Sequence, residues 1–116
     1  MSLRALLLTL ALAAPAQAQD LASGETVTLR GLDRIAGKST ELSIQAGSHV
    51  DYGRLRIGLR ECRFPAEDPA ADAFAFLEIE DTRSGEQIFG GWMIASAPGL
   101  NALDHVRYDV WVIGCQ

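Results

Sequence analysis

The plainest periodicity in the chain is two-fold. Leu55, Ile57 and Leu59 alternate with Arg56, Gly58 and Arg60 along Leu55–Cys62, giving a strand with one apolar face and one Arg/Gly face. That pattern fits an antiparallel sheet with one side in water. Glu25–Arg30 (ETVTLR), Ser39–Gln45 with Leu42 and Ile44 inward, and Ala73–Glu80 (AFAFLEIE) repeat it with β-branched and aromatic residues. Gly31 and Gly37, then Gly47 and Gly53 around Val50 and Tyr52, punctuate the strands with turns. Phe64–Asp72, with Pro65 and Pro69, reads as a loop, and Ser84-Gly85 as a hairpin turn. The pattern contains no long amphipathic helix, internal repeat or second domain. The expected fold class is all-β, a small antiparallel sandwich or barrel of about six to seven short strands.

The last quarter of the chain reads as strand, turn, strand. Gln87–Ala95 places apolar residues on both parities, as in a strand covered on both faces, with Gly90-Gly91 marking a bulge or a close backbone approach. Ser96 is placed to cap a short helical turn near residues 98–104, with Pro98 in its first turn and Leu100 and Leu103 inward. Tyr108–Ile113 then alternates Tyr108, Val110 and Val112 against Asp109, Trp111 and Ile113. The segment is expected to form a β-arch or wide hairpin with a helical tip.

Residues 1–18 carry a different signature. Arg4 precedes the apolar run Ala5–Ala14, and Ala16-Gln17-Ala18 follows as an A-x-A cleavage site. The run is far shorter than the roughly 20 residues a membrane-spanning helix needs. No cysteine follows the cleavage site, so no lipid anchor is indicated. The expected organisation is a signal peptide over residues 1–18, a loose lead-in over 19–28 and one β domain over 29–116. Without the leader fewer than 100 residues remain, a small domain with a modest core. Cys62 and Cys115, an even count in a chain bound for an oxidising compartment, read by default as a disulfide, with free thiols or an intermolecular bond as the alternatives. Cys62 falls on the Arg/Gly parity of its strand. Either a bulge shifts it inward or the bridge lies on the outer face.

The net charge is −5 and becomes one unit more negative without Arg4. No basic run accompanies it, which argues against nucleic acid and anionic lipid surfaces as partners. Arg54, Arg56, Arg60 and Arg63 do cluster, but their alternation with apolar residues reads as a solvated strand face.

The blocks LRGLDRIAGKST, GRLRIGLRECRFPAED, AFAFLEIED and IFGGWMIASAPGLNALDHVRYDVWVIGC follow one another in a specific order. With its GWM-x-AS-x-P, L-x-ALDH and YDVWV-x-x-C elements, the chain resembles an uncharacterised family of exported alphaproteobacterial proteins, domain of unknown function 2155, from about Leu29 onward. The resemblance implies a periplasmic setting and carries over the cysteine positions. It implies no activity.

Three constellations are candidates for chemistry. Ser96 and His105, with Asp104 or Asp109, supply the residue types of a hydrolytic triad, but no G-x-S-x-G elbow surrounds Ser96 and adjacent Asp104 and His105 orient each other poorly. His49 and His105 stand apart, without H-x-H or HExxH spacing, so neither a metal nor another cofactor is expected. For the DH-x-x-YD segment the structural reading is a tight corner held by side-chain bonds to local backbone. The functional reading is a binding patch of Trp92, Met93, Asp104, His105, Arg107, Tyr108 and Trp111, aromatic surface with a polar rim. Of the two tryptophans, Trp92 is expected to be partly exposed and Trp111 mostly buried. The functional expectation is a periplasmic binding or assembly module for an envelope protein or glycan, not membrane-spanning. The alternative is a small envelope hydrolase or enzyme inhibitor.

Overall fold

The structure, a computed structural model, describes Ala11 and residues 20–116. The leader expected over residues 1–18 lies, Ala11 apart, outside the described residues. Eight strands follow in order: β1 (Leu21–Gly24), β2 (Thr26–Asp33), β3 (Lys38–Gln45), β4 (His49–Tyr52), β5 (Leu55–Pro65), β6 (Phe74–Asp81), β7 (Glu86–Ile94) and β8 (Tyr108–Cys115). All pairings are antiparallel.

The strands divide into two sheets that pack as a sandwich. Five form the larger sheet in the order β1-β5-β6-β7, with β4 also pairing β5; β3-β2-β8 form the smaller one. Both β1 and β4 lie on the same edge of β5, β4 along its first half and β1 along its last four residues. The alternation read from sequence decides what turns inward. From the larger sheet Leu55, Ile57, Leu59, Ala75, Leu77, Ile79 and Met93 are buried; from the smaller, Val27, Leu29, Ile44, Val110 and Val112. Apolar surface removed from water at roughly 25 cal/mol per Å² is what holds the sheets face to face.

A bulge in β5 resolves the parity of Cys62. The register against β6 slips between Leu59 and Glu61, so two residues answer one across the ladder and Cys62 turns inward. It is fully buried and lies at disulfide distance from Cys115, with Sγ atoms 2.06 Å and Cα atoms 6.0 Å apart. β5 does not end at Cys62 but runs on to Pro65, and β8 is not its neighbour. The bridge therefore crosses from one sheet to the other.

Three local expectations need correction. The lead-in expected over 19–28 is not loose in its described residues, because Leu21–Gly24 pairs with the extension of β5 and Thr26 opens β2. The LASG segment has no apolar periodicity, so only its backbone ladder reveals it. The helical turn near 98–104 does not form. Ala97 N–H bonds the Ile94 carbonyl and Leu100 N–H the Ala97 carbonyl, which makes two isolated turns. Ser96 is drawn away from capping because its N–H and hydroxyl both donate to Asp72, at 3.0 and 2.7 Å. Leu103 is buried as expected, but Leu100 is exposed. Finally, β7 and β8 lie in different sheets, so the expected β-arch forms and not the hairpin, but the cover expected on both faces of β7 is missing. β7 is an edge strand with only one covered face.

Candidate binding face

The residues expected to form one patch are distributed over three places. Met93 points into the core and is 3% exposed. Trp92 lies on the outer face of the larger sheet, 37% exposed. Trp111 sits across from Arg30 on the outer face of the smaller sheet, partly buried, so the two tryptophans lie on opposite faces of the sandwich. No single aromatic patch joins them.

His105, Arg107 and Tyr108 are spent on a latch at one end of the molecule. Arg107 makes a two-pronged ion pair with Asp33, Nε to Oδ1 at 3.1 Å and Nη2 to Oδ2 at 2.9 Å. Asp33 Oδ1 also accepts the N–H groups of Ile35 and Ala36, so one carboxylate organises both the β2–β3 turn and the start of β8. The Arg107 bond above all, then the Ala36 amide, hold the Asp33 carboxyl at about 2, against the opposing effect of burial. His105 Nδ1 accepts from Arg107 N–H and Tyr108 N–H at 3.0 and 3.2 Å, and its Nε2 faces Asp81 Oδ2 at 3.5 Å. Tyr108 is buried, its ring edge-on to Tyr52. Asp104 is exposed beside the latch. This is the tight corner of the structural reading, built from longer-range bonds than sequence spacing suggested. Ser96 belongs to a different network, bonded to Asp72, and the two nitrogens of His105 face amides and Asp81. Serine and histidine are therefore not assembled as nucleophile and base.

The chemistry gathers elsewhere, on the outer face of the larger sheet. Along β6, Phe74 and Phe76 share a parity with Glu78 and Glu80, so both aromatic rings turn outward with the carboxylates. The ladder sets Phe76 opposite Trp92 on β7, and their rings meet in a T-shape with centroids 5.5 Å apart. From β5, the Arg60 guanidinium lies over the Phe76 ring at 4.8 Å and Arg63 stands 6.0 Å from the Trp92 ring. Arg60 also bonds Glu78 at 2.7 Å, Arg63 pairs Glu61 at 3.4 Å, and Arg56 pairs Asp51 of β4 at 3.3 Å.

One rung along from the Phe76–Trp92 pair, about 7 Å at the pitch of a strand, the sheet dips. Gly58 lacks the side chain that would fill this position, and an open groove of about 350 Å³ lies over it. His49, Arg56, Arg60, Glu78, Glu80 and Gln87 rim the groove. Arg60 is common to both halves of the face. These side chains alternate cation, carboxylate and amide, each a hydrogen-bond donor or acceptor aimed away from the core. Sequence reasoning assigned the arginines to a solvated strand face and left Phe74, Phe76 and Glu78 out of the site. The signal was there in AFAFLEIE: carboxylates on the parity of the phenylalanines force those rings outward, because the core takes the other parity.

Among the described residues, no three His, Cys, Asp or Glu side chains gather as ligands for a metal ion. None of their helices is long and apolar enough to cross a membrane.

Fold and face together define a small two-sheet β-domain, bridged between its sheets, with an aromatic and polar surface on the larger one. Residues 27–115 match the bacterial family described as "Uncharacterized protein conserved in bacteria (DUF2155)", and the chain belongs to that family. It is also similar to the uncharacterized protein RP359 of Rickettsia prowazekii (strain Madrid E), 25% identical over 87 residues that cover 72% of this chain and 56% of the relative. The chain thus spans little more than half the length of that relative. No solved structure matches it.

Proposed function

We propose that this protein is an exported, non-enzymatic binding module of the periplasm that engages an envelope protein or glycan through the outer face of its larger sheet. The observation that carries this reading is the exposed Trp92, set against Phe76 and linked through Arg60 to the groove over Gly58. An amphipathic aromatic ring beside a polar rim is the composition that binding surfaces favour. Export rests on the leader pattern of residues 1–18, and a buried cysteine pair suits an oxidising compartment.

The test uses the chain from Gln19 as bait in periplasmic extract with chemical crosslinking. Wild type is compared with an Arg60→Ala/Trp92→Ala variant and with Trp111→Ala on the opposite face. The expected result is an envelope component held by wild type and by Trp111→Ala, and lost at least tenfold by the double variant at an unchanged melting temperature. Equal retention by all three proteins would refute the reading.

A further inference from the structure

We infer that the ligand of this face is a neutral oligosaccharide, with one sugar ring stacked on Trp92 and another, further along the same chain, lying in the groove over Gly58. The inference rests on the binding reading above and narrows it to a ligand class.

Charge decides first. The three arginines of the face each have a carboxylate partner, Arg56 with Asp51, Arg60 with Glu78 and Arg63 with Glu61, and Glu80 adds one more acid. An anionic ligand meets no uncompensated cation here and must displace a carboxylate from each arginine it approaches. The protein as a whole repels it too, at a net charge of −5. A largely apolar ligand fares no better, since ordinary small-molecule pockets of this volume are lined mainly by hydrophobic side chains and this groove is rimmed by charged and amide groups.

A sugar fits both halves. Its ring offers an apolar C–H face to an aromatic surface and a rim of hydroxyls that donate and accept at once. Each pair uses only part of its guanidinium N–H groups and carboxylate lone pairs, so Arg60–Glu78 and Arg56–Asp51 can each offer a donor and an acceptor to neighbouring hydroxyls while staying paired. The spacing suits a chain of several rings: the Phe76–Trp92 rung and the Gly58–Glu78–Gly90 rung are two residues apart along the strands, and β6 lies between Trp92 on β7 and Gly58 on β5. About 7 Å along the strands and roughly 9.5 Å across them make a diagonal of about 12 Å, which a tetramer can span.

Gly58 makes the inference testable without damage to the fold. A Cβ added there meets nothing closer than the Glu78 carbonyl oxygen at 3.6 Å, and the backbone is ordinary strand, so a side chain is accepted at this position and the methyls of Gly58→Val project into the groove. The probes are a β-1,4-linked tetramer of N-acetylglucosamine, a β-1,4-linked glucose tetramer, and a sulfated heparin tetramer as the anionic control. Titration calorimetry is run on wild type, Gly58→Val, Trp92→Ala and Trp111→Phe. Quenching of Trp92 fluorescence is read in the Trp111→Phe background.

The expected result is binding of at least one neutral tetramer that quenches Trp92 and weakens tenfold or more in both Gly58→Val and Trp92→Ala. Trp111→Phe should bind as wild type does, and all variants should melt normally. Failure of both neutral tetramers to bind at millimolar concentration overturns the inference, as does binding that survives in Gly58→Val. Tighter binding of heparin with steep salt dependence overturns it as well. If neutral sugars fail while the crosslinked envelope component is still lost in the Arg60→Ala/Trp92→Ala variant, the binding face stands and the saccharide falls.

Discussion

Gly24 shows how one absent side chain can be required by a contact elsewhere. It pairs with Cys62 at the end of β1, and a Cβ built there would run into Cys115 Sγ and come within 2.9 Å of Cys62 Sγ. The requirement is steric and comes from the bridge, not from the backbone angle. Gly24→Ala should therefore destabilise the fold by roughly 1–3 kcal/mol, the usual range for overpacking, while Gly58→Val in the open groove costs nothing of the kind. Thermal unfolding of the two variants checks this; equal melting would show that the bridge can move aside. Asp33 makes a second residue-scale case, in pH. Its carboxyl is held at about 2 by Arg107 first, then by the Ala36 amide, with the Ile35 amide adding to both. The folded value lies below the unfolded one near 3.9, so the stabilisation is complete above about pH 4 and is lost as pH falls through about 2. Acid unfolding should steepen in that window for wild type and flatten in Asp33→Asn, which keeps the shape but not the charge. Identical acid profiles would remove Asp33 from the account.

Among the elements, the β7–β8 arch departs furthest from its sequence, and a single carboxylate explains why. Asp72 Oδ1 accepts Ala73 N–H at 2.8 Å and Ser96 N–H at 3.0 Å, while Oδ2 accepts the Ser96 hydroxyl. Burial alone would raise its carboxyl, but the Ser96 hydroxyl and the two amides outweigh it and the group sits below its ordinary value. Asp72→Ala should speed hydrogen exchange at the Ser96 and Ala73 amides and cost about 1.5–3 kcal/mol, the range for bonds to a charged group. Unaltered exchange at both would mean the arch holds itself. A serine before a proline looks like a helix start only while its long-range partner is unknown. Asp72 lies in a loop 24 positions away, and no local pattern announces such a bond. The same limit hid β1, whose LASG side chains carry no periodicity. Where two-fold alternation was strong, in β3, β5 and β6, strand and buried face were both legible, because period and burial are one constraint. The binding face was half legible: parity put Phe76 with the acids, but only sheet order sets Trp92 beside it.

At the scale of the whole molecule, two sheets of unequal width are tied by one covalent link. Among the described residues β8 is an edge of the smaller sheet and pairs with β2 alone, a ladder that continues past Cys115 through Gln116 N–H to the Thr26 carbonyl at 2.9 Å. An edge strand bonded along one side only opens locally at lower cost than a central one. Cys115, the last residue of β8, fastens that strand to the last third of β5 in the opposite sheet, so the link resists separation of the layers as well as peeling of the strand. It closes a span of 53 residues, and loops of this size are worth roughly 4 kcal/mol in the chain-entropy account. Reduction, or a Cys62→Ala/Cys115→Ala double change, should therefore lower stability by roughly 2–5 kcal/mol. The loss should appear first as faster hydrogen exchange in Tyr108–Cys115 and in β1, whose Gly24 rests on the bridge, and only later in β5 and β6. Denaturant melts of oxidised, reduced and double-alanine protein, with exchange on each, measure both the size and the order. Two titratable thiols in the native oxidised protein, or uniform acceleration across both sheets, would show that the bridge does not hold the C-terminal strand in place.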